Sequence, residues 1–131
     1  MAGIDIALWD IKERFLNLPI YELMGGCFVD KMRVYSSNMF QYTIEDTVNR
    51  VKIAMDTGHT AVKFGWEPFG LDEELDLKYV EAIRKQLGNN LDFMLDVGLI
   101  WDAKTTVRRA KSYEPYNLFW KIGRASCSER S

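Results

Sequence analysis

The stretches T-A-V-K-F-G-W at 60–66 and L-D-F-M-L-D-V-G at 91–98 decide the fold. Each is a short apolar run of strand length, and each closes on an ionisable residue, Lys63 in the first and Asp96 in the second. Between them Leu75, Tyr79, Ile83 and Leu87 recur at spacing four, with Val80 beside them, so a helix with one apolar face is expected. Asp72 caps its start, Glu73, Glu74 and Asp76 suit its positive end, and Gly88 stops it. A strand, a crossover helix and a second strand form a right-handed parallel unit. In such units the C-terminal ends of neighbouring strands open onto a common site. Lys63 and Asp96 are therefore expected to converge, an arrangement suited to an anionic ligand beside a metal ion.

Working outward, the same rhythm continues. Residues 3–16 read as a helix with Ile4, Ala7, Leu8, Ile11 and Phe15 on one face. Pro19 bars simple continuation, and Ile20–Met24 forms one further turn before Gly25-Gly26. Lys31–Ser36 is expected to be a strand. Thr43, with Asp46 three residues on, opens a helix whose stripe is Ile44, Val48, Val51 and Met55, and Gly58 ends it. Thr60–Phe64 and Leu91–Leu95 are the two deciding strands. Asp102 caps a further helix, and Leu118–Trp120 begins a fourth strand after Pro115. The fold class is α/β, with parallel strands alternating with helices in a sheet that is open or closed into a barrel.

Composition bounds the function. The 131 residues are 47% hydrophobic and 27% charged, with formal net charge −2. Lysines and arginines are scattered, which argues against a nucleic-acid surface. No apolar run is long enough to span a bilayer, so no membrane partner is expected. The N-terminus has no basic leader and is not read as a signal peptide. Cys27 and Cys127 lack metal-ligand spacing and fit a reducing, cytoplasmic setting.

The chemistry rests on few side chains. A carboxylate at a strand end, as at Asp96, is a natural Mg²⁺ ligand, because Mg²⁺ takes few protein oxygens; the alternative is a loop or capping aspartate. Asp92 alternates with it but sits at the start of the strand. A lysine inside a buried strand, as at Lys63, is costly unless its charge is used. Its functional reading is to bind or polarise a carboxylate; the alternative is a stem whose amine reaches solvent. Trp66 either lines the same mouth or covers the loop. His59, the only histidine, precedes its strand and reads as a surface residue.

These segments resemble, in order, the barrel of the mandelate racemase/muconate lactonizing enzyme branch of the enolase superfamily. A-G-I-D-I-A-L-W-D-I-K with L-P-I-Y-E-L-M-G-G resembles the helix that opens the barrel domain, and M-R-V-Y-S-S the first strand. G-H-T-A-V-K-F-G-W resembles the second strand, L-D-F-M-L-D-V-G-L-I-W-D the third, and E-P-Y-N-L-F-W the approach to the fourth. The resemblance implies the N-terminal part of a modified (β/α) TIM-type barrel over residues 1–120, with the family's capping domain expected to be missing upstream of Met1.

It further implies a Mg²⁺-dependent enzyme that removes a proton alpha to a carboxylate. Acid-sugar dehydratases and related racemases are of this kind, they act on small carboxylate substrates, and the intact protein would be a homo-oligomer. Asp96 resembles the third-strand metal ligand. Lys63 resembles the first lysine of the second-strand Lys-x-Lys pair, a catalytic and substrate-binding position, with Trp66 beside it. The second lysine, the base in many members, is replaced by Gly65; the base is then expected from a His-Asp pair on later strands.

After Trp120 the family pattern would continue into further acidic ligands, whereas K-I-G-R-A-S-C from Lys121 resembles translated adapter DNA. Residues 121–131 are therefore expected to be an aberrant, disordered tail on a truncated frame, and the chain alone is expected to be inactive. Two other readings stand beside this one: a non-catalytic remnant, and a receiver-like domain whose strand-end aspartate accepts phosphate.

Overall fold

In the computed structural model the described residues are 2–98 and 100–122. They fall into two units, 1–33 and 34–131. The first unit holds α1 (Ala2–Leu16) and the single turn α2 (Ile20–Leu23), which starts directly after Pro19. The expected helix is present, yet none of its residues is buried, and Ile4, Leu8, Ile11 and Phe15 lie exposed.

The second unit carries the sheet. Its order is β1 (Ser36–Met39), α3 (Ile44–Asp56), β2 (Ala61–Gly65), α4 (Glu73–Leu87), β3 (Asp92–Asp96), α5 (Ala103–Ser112), a 3-10 turn (Glu114–Tyr116) and β4 (Trp120–Ile122). The strands are parallel and lie side by side in chain order, β1-β2-β3-β4. Sequential order with right-handed crossovers sends α3, α4 and α5 to the same face, and α3 packs on α4. A receiver-like sheet instead reverses direction and places its first strand inside. That reading does not suit a sheet with β1 at its edge.

The local signals act as expected. Thr43 accepts from the Asp46 amide at 3.0 Å, and Asp72 and Asp102 do the same for Leu75 and Thr105. Gly58 and Gly88, both at positive φ, close α3 and α4. Alternation along the strands divides the side chains. Val62, Phe64, Phe93 and Leu95 point into the helix layer and are fully buried, with Val51, Tyr79, Val80 and Ile83 opposite them. Each such side chain contributes on the order of 2 kcal/mol of burial. Lys63, Gly65, Met94 and Asp96 lie on the other face, level with Ser37 and Met39.

Three expectations are corrected in register. The first strand is Ser36–Met39, not Lys31–Ser36. Phe40 is the cause: it is buried between Phe64, Phe69 and Tyr79, and its amide donates to the Gly65 carbonyl. That anchor draws residues 36–39 alongside β2 and leaves Met32 and Val34 exposed. On α4 the apolar face is turned away from Leu75, which is 38% exposed; Asp76 and Arg84 are buried with Tyr79, Val80, Ile83 and Leu87. On α3, Thr47 and Ala54 join Val51 inside.

Arg84 is stable there because its guanidinium donates to four carbonyls, those of Gly88, Leu91, Tyr116 and Asn117, at 2.8–2.9 Å. β4 includes Lys121 and Ile122. The rest of the tail expected to be disordered, 123–131, lies outside the described residues.

Candidate functional site

β2 and β3 run in register, with Lys63 opposite Met94 and Gly65 opposite Asp96. Because alternate residues share a face, Lys63, Gly65 and Asp96 meet on the side away from the helices. The Lys63 ammonium lies 3.4 Å from Asp96 Oδ2, with the two side chains 18% and 24% exposed. That is longer than a tight charge-assisted bond of about 2.8 Å, so the pair touches without closing. The other oxygen, Oδ1, accepts from the Gly98 amide at 3.1 Å. The Tyr35 ring lies beneath the ammonium at 6.0 Å.

Gly65 is required by this closeness. A Cβ built there would stand 2.6 Å from the Asp96 carbonyl oxygen and 2.9 Å from Asp96 Cβ. A lysine at 65 would push the two strands apart, so this backbone is shaped around the missing side chain. Trp66 follows at φ +67, a conformation costly for a bulky residue. Its amide donates to the Asp96 carbonyl at 3.3 Å. Its indole is 54% exposed and lies against Gly98, where an added Cβ would meet the ring at 3.7 Å. Lys63, Asp96 and Trp66 are thus brought to one mouth. Asp92 and His59 sit at the other end of their strands, and His59 Nδ1 is 2.9 Å from Thr57 Oγ1.

The donor set falls short of a Mg²⁺ site. Asp96 is the carboxylate that the paired strands bring to this mouth, and both its oxygens are engaged. Among the described residues no group of three or more histidine, cysteine or acidic side chains could hold a metal. Mg²⁺ asks for near-octahedral oxygen coordination, and the described residues alone do not supply it. No described helix is long and apolar enough to cross a membrane.

Sequence reasoning missed a second charged cluster behind the mouth. Asp76 on α4 is fully buried and accepts the Gly70 amide on both carboxylate oxygens, at 2.9 and 3.0 Å. Arg109 on α5, 6% exposed, pairs with Asp76 and stacks on Trp101 at 4.8 Å. Trp101 Nε1 donates to the Gly70 carbonyl at 2.8 Å. Burial pushes the Asp76 carboxyl above its usual range, against the pull of the Gly70 amide and Arg109. One signal was available: 76 lies three and four residues before Tyr79 and Val80, hence on the apolar face.

Tyr113 closes this cluster with a buried hydroxyl that has no hydrogen-bond partner among the described residues. Burial raises its pKa to about 12, although Arg109 pulls it down. The folded form therefore resists ionisation while an unfolded chain ionises near pH 10. The stability tied to neutral Tyr113 is complete below pH 10 and is lost as pH rises towards 12. Urea unfolding at pH 9 and pH 11.5 should show this loss, and Tyr113→Phe should reduce it.

Comparison with known proteins agrees with the parallel β/α order. Residues 46–121 match the family profile described as enolase C-terminal domain-like. Residues 1–25 match the mandelate racemase/muconate lactonizing enzyme N-terminal domain, whereas the sequence reading attaches that helix to the barrel. The chain is 32% identical over 130 residues to a D-gluconate dehydratase of Thermoproteus tenax, covering 92% of this chain and 26% of that protein. It is 31% identical to an L-talarate/galactarate dehydratase of Salmonella typhimurium, covering 92% and 30%.

Among solved structures, the 3,6-anhydro-D-galactonate cycloisomerase of Zobellia galactanivorans aligns with TM-score 0.81 at 34% identity, over 90% of this chain and 32% of that one. A mandelate racemase/muconate lactonizing protein of Paracoccus denitrificans, complexed with magnesium, aligns with TM-score 0.86 at 25% identity, over 98% and 36%. The chain therefore spans about a third or less of the length of these relatives. With the parallel β/α order and profile matches to both domains of the family, the chain belongs to the mandelate racemase/muconate lactonizing enzyme branch of the enolase superfamily.

Proposed function

We propose that this chain is the part of an acid-sugar dehydratase, or a related racemase, that supplies Lys63 and Asp96 to the active site. The observation that carries the reading is the Lys63–Asp96 pair at the C-terminal ends of adjacent parallel strands, with Gly65 where a basic side chain cannot be built. The similarity to two sugar-acid dehydratases supports the substrate class, a small carboxylate. The whole enzyme would be a Mg²⁺-dependent cytoplasmic homo-oligomer acting on neither nucleic acid nor membrane. Asp96 would give the ion one ligand, and the others would come from residues beyond this chain.

In this reading the Lys63 ammonium holds the substrate carboxylate. Asp96 keeps the ammonium aimed into the mouth, and Trp66 walls off one side from water. The proton is taken by a group on later strands, since Gly65 offers none. Residues 1–131 by themselves act as a non-catalytic remnant, because the described residues bring together no group of three or more metal-ligating side chains.

The test is a panel of acid sugars assayed with the full-length enzyme, with and without a chelator. Chelator-sensitive turnover of at least one acid sugar is expected. Lys63→Met should raise KM and lower kcat together, because the charge it removes meets the substrate in both ground and transition states. Turnover indifferent to chelator and to Lys63→Met would refute the assignment.

A further inference from the structure

Two loops frame the Lys63–Asp96 mouth, the one after β2 (66–71) and the one after β3. The first carries Trp66 and then turns inward, burying Phe69 against Phe40 and Trp101. Gly70, at φ +105, is the point where this loop is tied down. Its amide is held by Asp76 of α4 and its carbonyl by Trp101 of the second loop. A Cβ on Gly70 would stand 3.1 Å from Ile100 Cδ1, so the two loops also touch directly. Arg109 of α5 completes the tie, pairing with Asp76 and stacking on Trp101. On the mouth side the first loop ends in Trp66, whose ring packs on Gly98, the residue that holds Asp96 Oδ1.

We infer that Asp76 and Arg109 are positioning residues: they clasp Gly70 to Trp101 and thereby fix Trp66 and Gly98 around Asp96. This rests on the reading of the Lys63–Asp96 pair as the active-site mouth. The chemistry favours a locating role over a stabilising one. A buried ion pair gives little net stability compared with apolar residues of similar size, because both charges lose their hydration. What this pair does hold is a backbone amide in a loop, through two directional bonds that an apolar pair cannot make. Neither residue touches the mouth, so the effect passes through Gly70 and the two loops.

Heteronuclear NMR of the full-length enzyme, labelled selectively at glycine and tryptophan, tests this through the Gly98 amide and the Trp66 indole N–H. In Asp76→Leu/Arg109→Met the charges leave together, so the chain should stay folded, while both signals shift and broaden. Asp76→Asn/Arg109→Met keeps an acceptor for the Gly70 amide and should return both signals towards their native positions. Trp101→Phe keeps a ring in the core but removes the donor to the Gly70 carbonyl, and should move both signals even if the paired variant fails to fold. Native Gly98 and Trp66 signals in Trp101→Phe, or equal shifts in the Leu and Asn variants, would overturn the clasp. The readout does not use turnover. An inactive full-length enzyme would defeat the functional reading alone, and unmoved signals would defeat the clasp alone.

Discussion

Asp96→Asn in the full-length enzyme is expected to reduce turnover by about a hundredfold or more while leaving the fold intact. Two losses combine. The mouth gives up the carboxylate that β3 places at its C-terminal end, a charged oxygen donor for a cation. Lys63 also loses the partner that holds its ammonium at 3.4 Å, so its charge would no longer be fixed for the proposed substrate carboxylate. Removing one preorganised charge-stabilising group from a site shielded from water commonly costs about 10²–10³ in rate. Asn preserves shape and the contact with the Gly98 amide, so the loss should appear in kcat rather than in the unfolding midpoint. Steady-state kinetics beside a thermal melt separates the two, and near-native kcat would remove Asp96 from the site.

The mouth was legible in the sequence because it depends on local rules. An apolar run of strand length, its alternation and the β-α-β order fix which end and which face Lys63 and Asp96 occupy. The replacement at Gly65 was equally legible, but its reason was not: the approach of the Asp96 backbone to 2.6 Å of the missing Cβ exists only once β2 and β3 pair. The first strand was misplaced because its register is set by Phe40 entering a cluster built from β2, α4 and the loop between them, a tertiary preference that K-M-R-V-Y-S does not carry. Asp76 was read as a dipole-favouring acid of the first turn. Its partner Arg109 is 33 residues away on another helix, beyond the reach of any spacing rule. Leu75 was misread for the complementary reason, since the buried acid turned the helix face away from it.

Residues 1–131 alone are expected to show no turnover on any acid sugar and only marginal stability. The face bearing Lys63 and Asp96 exposes Met39 at 60% although Met94 on it is buried, and among the described residues β1 pairs on one side only. Strands patterned with apolar residues on both faces suit a sheet covered on both sides. A partly uncovered face and an open edge favour association over a well-isolated monomer. The helix layer, with Phe64, Tyr79, Ile83 and Phe93 fully buried, should still keep a compact state. Denaturant unfolding is expected to give a broad transition that depends on protein concentration.

The most direct test of the central claim, that this chain holds only the Lys63–Asp96 share of a larger metal-dependent site, is calorimetric titration of residues 1–131 with Mg²⁺. Asp96, already engaged by Lys63 and Gly98 and with no group of three ligands around it among the described residues, should give no saturable binding. Tight binding of one ion per chain, with a sharp monomeric unfolding transition, would contradict the account and show a self-contained metal-binding domain.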